Sequence, residues 1–113
     1  MTREGFDAAC RALPAVTMVV QWGESQVYKV GGKVFALLGR DDSCSLKTSE
    51  IAYMALTEAG LGRRMPYSSG GNWIAFPTLD TLPDEELTAL LAQSHSLIAG
   101  KLTRAVRREL GLG

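Results

Sequence analysis

Hydrophobic positions along the chain change period in a way that separates helices from strands. Phe6, Ala9, Cys10 and Leu13 recur at i, i+3, i+4 and i+7, one stripe of an amphipathic helix over Thr2 to Leu13 that Pro14 stops. From Val16 to Trp22 the period becomes two. Val16, Met18, Val20 and Trp22 fall on one face, and Thr17, Val19 and Gln21 on the other, which predicts a strand ending in a turn at Gly23-Glu24-Ser25. Two more strand patterns, Gln26 to Val30 and Lys33 to Leu38, are separated only by Gly31-Gly32.

A glycine pair between alternating hydrophobics is the signature of a two-residue hairpin, because both turn residues can take positive φ. A phosphate-cradling loop needs a glycine five residues before its Gly-Lys and a Ser or Thr after it. Those positions hold Val27 and Val34, and Val34 to Leu38 reads as a strand, so the nucleotide-loop reading fails. The hairpin predicts that Val30 faces Lys33, Lys29 faces Val34, Tyr28 faces Phe35 and Val27 faces Ala36. Tyr28, Val30, Phe35 and Leu37 would then share the core side, with Lys29 pointing away.

Arg40 to Ser43 reads as a polar turn and Cys44 to Lys47 as a short strand. Thr48 or Ser49 caps a helix whose buried face is predicted to include Ile51, Ala55, Leu56 and Ala59, and Gly60 ends it. Leu61 to Gly71 reads as a loop, and Trp73 to Phe76 as a short strand closed by Pro77. From Pro83 onward Leu87, Leu90, Leu91, Ser94, Leu97, Ile98, Leu102 and Ala105 keep helical spacing. As one rod to Leu110 this segment would run about 42 Å, long beside a radius of gyration of about 13 Å, so Gly100 is the expected kink or break. The whole predicts one α+β domain over residues 1–113: an antiparallel sheet of about five strands packed by three helices in two layers, the last helix split near Gly100.

Composition changes this picture little. The 113 residues are 46% hydrophobic, with no apolar run near the ~20 residues of a membrane span and no signal-peptide pattern, so a cytoplasmic location is the expectation. Twelve cations balance twelve carboxylates, which removes the global basic excess usual in duplex-binding domains. Cys10, Cys44 and the lone His95 lack metal-ligand spacing, so neither a metal nor a cofactor is expected.

Candidate chemistry is sparse. Lys101, Arg104 and Arg108 fall on one helical face with Arg107 beside it, either a phosphate-contacting surface or charges that complement the dipole of a helix begun by Asp84-Glu85-Glu86. The dipole reading suits an acidic start and a basic end within one element. Arg63 and Arg64 form a second basic pair, and a surface joining them to Tyr67 or Trp73 could bind phosphates and stack on a base. Trp73 in a short strand is more often core. His95 reads as a structural, hydrogen-bonded residue, and no constellation supports catalysis.

Several pieces in order resemble the MmcQ/YjbR family of small bacterial proteins over about residues 4 to 107. They are Trp22-Gly23, the stretch Tyr28 to Leu38, Ser45-Leu46-Lys47 before a helix, Pro66-Tyr67, Asn72-Trp73, and Leu82 to Leu87 opening the last helix. The resemblance implies a compact α+β domain of the CyaY-like group and a DNA-binding role that rests on likeness of fold. Its matching positions are Lys33, Phe35, Lys47 and Trp73, of which Lys47 and Trp73 would face the surface. The chain departs from the family at Gly71-Asn72, where a basic residue and a histidine are usual, and at Ser94-His95, where Ser-Tyr is. The first departure removes positive charge beside Trp73.

The expected function is therefore a non-enzymatic domain that binds nucleic acid through Lys47, Arg63, Arg64, Trp73, Lys101, Arg104 and Arg108. Two alternatives stay open: a protein-interaction module using a sheet face or edge, and a phosphate-type small-ligand binder using the loop from Arg63 to Trp73.

Overall fold

The computed structural model describes residues 1–66 and 71–112. Helix α1 (Arg3–Arg11) opens on Thr2, whose hydroxyl accepts from the Gly5 N–H, and buries Phe6 and Cys10 as the stripe predicts. Strands β1 (Val16–Gln21), β2 (Ser25–Val30), β3 (Lys33–Leu38) and β4 (Cys44–Lys47) come next, then α2 (Glu50–Glu58), β5 (Arg63–Arg64), β6 (Trp73–Phe76), α3 (Asp84–Ala99) and α4 (Arg104–Glu109). The six strands form one antiparallel sheet in the order β1-β2-β3-β4-β6-β5. The α+β class stands, with one strand more than expected and the last helix broken: Gly100 is the C-cap of α3, and Thr103 caps α4.

The additional strand is β5, in a stretch whose sequence reads as a loop. Its two residues pair Arg63 with Ala75 and Arg64 with Ile74. A ladder this short carries no period to read in sequence; β6 imposes it.

The hairpin turn is as expected, with Gly31 and Gly32 at φ +58° and +80°. Its register is not. Val30 faces Lys33 and Lys29 faces Val34, but Tyr28 then faces Ala36 and Val27 faces Leu37, because a β-bulge at Phe35 takes up one residue. Phe35 and Ala36 both reach the core, whereas Leu37 turns to the other face with Val27 and Ser45. The bulge carbonyl is satisfied from outside the ladder: Ser94 Oγ donates to Phe35 O at 2.6 Å and accepts from the Lys47 N–H at 2.9 Å.

Helices α1 and α3 cover one face of the sheet, and between them lie Phe6, Tyr28, Phe35, Leu46, Ile74, Phe76, Leu87 and Leu91, all essentially buried. Tyr28 meets Phe6 edge-on and donates its hydroxyl to Asp7 at 2.8 Å. His95 is buried as a structural residue, its Nε2 2.8 Å from Pro14 O and its ring edge-on to Phe35.

Helix α2 corrects a further expectation. Tyr53 and Leu56 pack against the core, while Ile51 is 82% exposed and Ala55 and Ala59 also face solvent. Three small or apolar positions at helical spacing look alike from either side. The contacts of α2 with β5 and β6 choose the Tyr53–Leu56 side.

Candidate nucleic-acid interface

Among the described residues no helix packs on the second face of the sheet. Strand alternation fills its middle row, one residue per strand, with Val19, Val27, Leu37, Ser45, Ala75 and Arg63. At five strand spacings of ~4.8 Å this row is about 24 Å across. Nearer the hairpin end lie Lys29 and Val34, then the facing pair Lys47 and Trp73. The open face thus carries Lys29, Lys47 and Arg63.

The balanced charge of the whole chain conceals a segregation. The six strands hold Lys29, Lys33, Lys47, Arg63 and Arg64 and not one carboxylate, so the remainder holds seven cations against twelve carboxylates. Pairing obeys the same division. Arg3, Arg11 and Arg40 meet Asp42, Asp7 and Glu24. Among the described residues no other cationic side chain has a carboxylate partner.

Lys47 is the best-positioned of these cations. Its backbone N–H is held by Ser94, and its ammonium donates to Gly71 O at 3.0 Å. Next to it, Thr48 donates from both N–H and hydroxyl to Asn72 O, at 2.8 and 3.0 Å. Asn72 stands at φ +66°, a left-handed conformation that asparagine tolerates better than most residues. That conformation gives a physical reason for asparagine directly before Trp73. Desolvation, with the neighbouring Lys101 ammonium second, holds Lys47 below the usual lysine value.

Lys47, Trp73 and Lys101 are therefore brought together, and Arg63 shares their sheet face. Trp73 is half-buried, its body against the core. Arg64 alternates to the opposite side of β5. Arg104 and Arg108 are exposed on α4, with no described contact joining them to the open face. The dipole reading of the C-terminal charges fails for Arg104, which begins α4. Lys101 directly follows the C-cap of α3, the helix with the acidic start, and Arg107 and Arg108 lie in the last turn of α4, so those three sit at helix C-terminal ends. Tyr67 lies outside the described residues.

The far end of the same face holds a cleft of about 450 Å³ among Trp22, Ser45, Arg63, Asp41 and Met65. Trp22, placed by alternation on a strand face, instead leaves β1 at φ +49° and is 66% exposed. Sequence reasoning misses it as a surface residue. The adjacent Gly23 is the signal, since it marks the strand end.

A family model described as YjbR matches residues 11–97. The chain belongs to the YjbR family. Among solved structures, it is similar to the crystal structure of the Deinococcus radiodurans protein DR2400, whose family-model domain is DUF419. The two share 27% identity, with a TM-score of 0.88, 99% of this chain covered and 89% of that one. No curated protein matches. YjbR membership thus accords with the α+β architecture, and the two departures from the family pattern, at Asn72 and His95, both occupy structurally defined positions: a left-handed strand entry and a buried ring against Phe35. Among the described residues no helix is long and apolar enough to cross a membrane.

Proposed function

We propose that this YjbR-family chain is a non-enzymatic, cytoplasmic binding domain that takes single-stranded nucleic acid on the open face of its sheet. The observation that carries the reading is the charge segregation: every cation on the strands lacks a carboxylate partner among the described residues, and no strand carries an acid. Lys29, Lys47 and Arg63 supply phosphate contacts, Lys101 joins Lys47, and the exposed part of Trp73 offers a ring to an unstacked base. A broad sheet face with an aromatic at the surface suits splayed bases better than a duplex groove. Arg104 and Arg108 are exposed on α4, with no described contact to this face.

Fluorescence anisotropy with labelled single- and double-stranded oligonucleotides tests this. Neutralising three phosphates of a single strand gives a log–log salt slope of about −2. Binding absent at micromolar protein, or insensitive to salt, refutes the reading, and a preference for duplex refutes its single-strand form.

One observation favours a second reading, a protein-interaction module. The edge strand β5 is two residues long and carries two arginines, whereas the opposite edge, β1, is six residues long with no charge or proline. Val20 is 60% exposed there. Strand addition along β1, by a partner or by a second copy, uses these free backbone groups. Light scattering that gives a monomer up to high concentration, with no partner in a pull-down, removes it.

A further inference from the structure

We propose that the cleft between Trp22 and Arg63 is a nucleotide subsite selective for a base with an exocyclic amine (cytosine, adenine or guanine) over thymine, an inference that rests on the open-face reading and specifies it. Three chemistries converge there. Trp22 presents an exposed indole and is held in a left-handed conformation that a bulky residue rarely adopts. The three-residue turn between the paired Gln21 and Ser25 imposes it, with Gly23 and Glu24 also at positive φ, and so fixes the indole at the end of the sheet. Arg63 lines the cleft and has no carboxylate partner among the described residues.

The third element is an acceptor. Asp41 bends back so that its Oδ1 accepts from the Ser43 N–H at 3.1 Å and the Ser43 hydroxyl at 2.6 Å. Both bonds end on Oδ1, leaving Oδ2 for a ligand. Those hydrogen bonds hold the carboxyl pKa below its ordinary value, so the group is ionised. Gly39 makes the hook possible: a Cβ there would stand 2.7 Å from both Asp41 Oδ1 and Ser43 Oγ.

A ligand that satisfies the cleft must carry an anion for Arg63, a flat ring for Trp22 and an N–H donor for Asp41. A nucleotide with an amino-bearing base has all three. Carboxylates accept from cytosine N4, adenine N6 and guanine N2, whereas thymine has no exocyclic amine and its one N–H lies between two carbonyls. Thymine therefore brings a carbonyl oxygen against the carboxylate and is disfavoured.

The test uses the full chain with labelled oligo-dC and oligo-dT, together with ligand-observed NMR of dCMP and dTMP. Trp22→Gly removes the ring while suiting the positive φ, so a folding defect does not cloud the result. The expected result is roughly tenfold tighter binding of oligo-dC than of oligo-dT. Asp41→Asn should erase that preference, and Trp22→Gly should weaken both oligomers by roughly tenfold through lost stacking. Equal binding of the two oligomers, unmoved by either variant, overturns the subsite and leaves the open-face reading standing. If neither oligomer binds but dCMP does and dTMP does not, the subsite stands and the open-face reading falls. If nothing binds, both fall.

Discussion

The two faces of the sheet are made by the same strands, yet their polar groups are treated in opposite ways. On the helix-covered face polar groups find partners from other elements: Tyr28 hydroxyl with Asp7, Phe35 carbonyl and Lys47 N–H with Ser94, His95 with the Pro14 carbonyl. On the open face Lys29, Lys47 and Arg63 meet no carboxylate among the described residues, and the acidic side chains sit on helices and in turns and loops. Burial without a partner costs about 1–3 kcal/mol per polar group, so the covered face tolerates few unpaired ones. The open face buries Val27 and Leu37 in its middle, and around them its cations meet no carboxylate among the described residues and are available to a ligand. Stability and binding are thus expected to separate by face.

The largest expected effect is Leu46→Ala on the covered face, a loss of about 2–5 kcal/mol in urea unfolding, because the side chain is fully buried. Arg63→Ala, two strands away on the open face, should stay within about 0.5 kcal/mol of wild type in the same assay. If the two variants cost the same, the division between faces is wrong. Next comes Ser94→Ala, which leaves the bulge carbonyl and the Lys47 N–H without their shared partner. A loss of about 1–3 kcal/mol is expected, with the salt dependence of oligonucleotide binding unchanged.

The smallest effect is a pH dependence. Desolvation and Lys101 hold the folded Lys47 pKa below the ordinary lysine value of 10.5. In the window between the folded and ordinary values the unfolded chain binds more protons, so stability rises with pH there while affinity for an anion falls. Oligo-dC affinity should weaken as pH rises through that window, and Lys47→Met should flatten the profile. An identical profile for the variant assigns the titration elsewhere.

How far the amino-acid pattern leads differs by element. The α1 stripe, the Gly31-Gly32 turn and the break at Gly100 are legible because each rests on local chemistry: a period, a positive φ, a helix stop. The Phe35 bulge is not, since Lys33 to Leu38 is apolar after its first residue and either register buries hydrophobic side chains. The outward stripe of α2 and the strand at Arg63–Arg64 are hidden for a related reason: neighbours across the sheet decide them. For the site, Lys47, Trp73 and Arg63 are readable as candidates, but their common face emerges only from the β4–β6–β5 pairing. Trp22 and the Asp41–Ser43 hook look like strand and turn in sequence, and only their geometry brings them to one cleft.

The most direct test of the central claim replaces the three open-face cations together, as Lys29→Glu, Lys47→Glu and Arg63→Glu, and measures binding of a labelled single-stranded oligonucleotide across a salt series. Wild type should bind with a log–log slope of about −2, and the variant, folded by circular dichroism, should lose both the affinity and the slope. An unchanged slope in the folded variant would place binding elsewhere on the molecule and contradict the account.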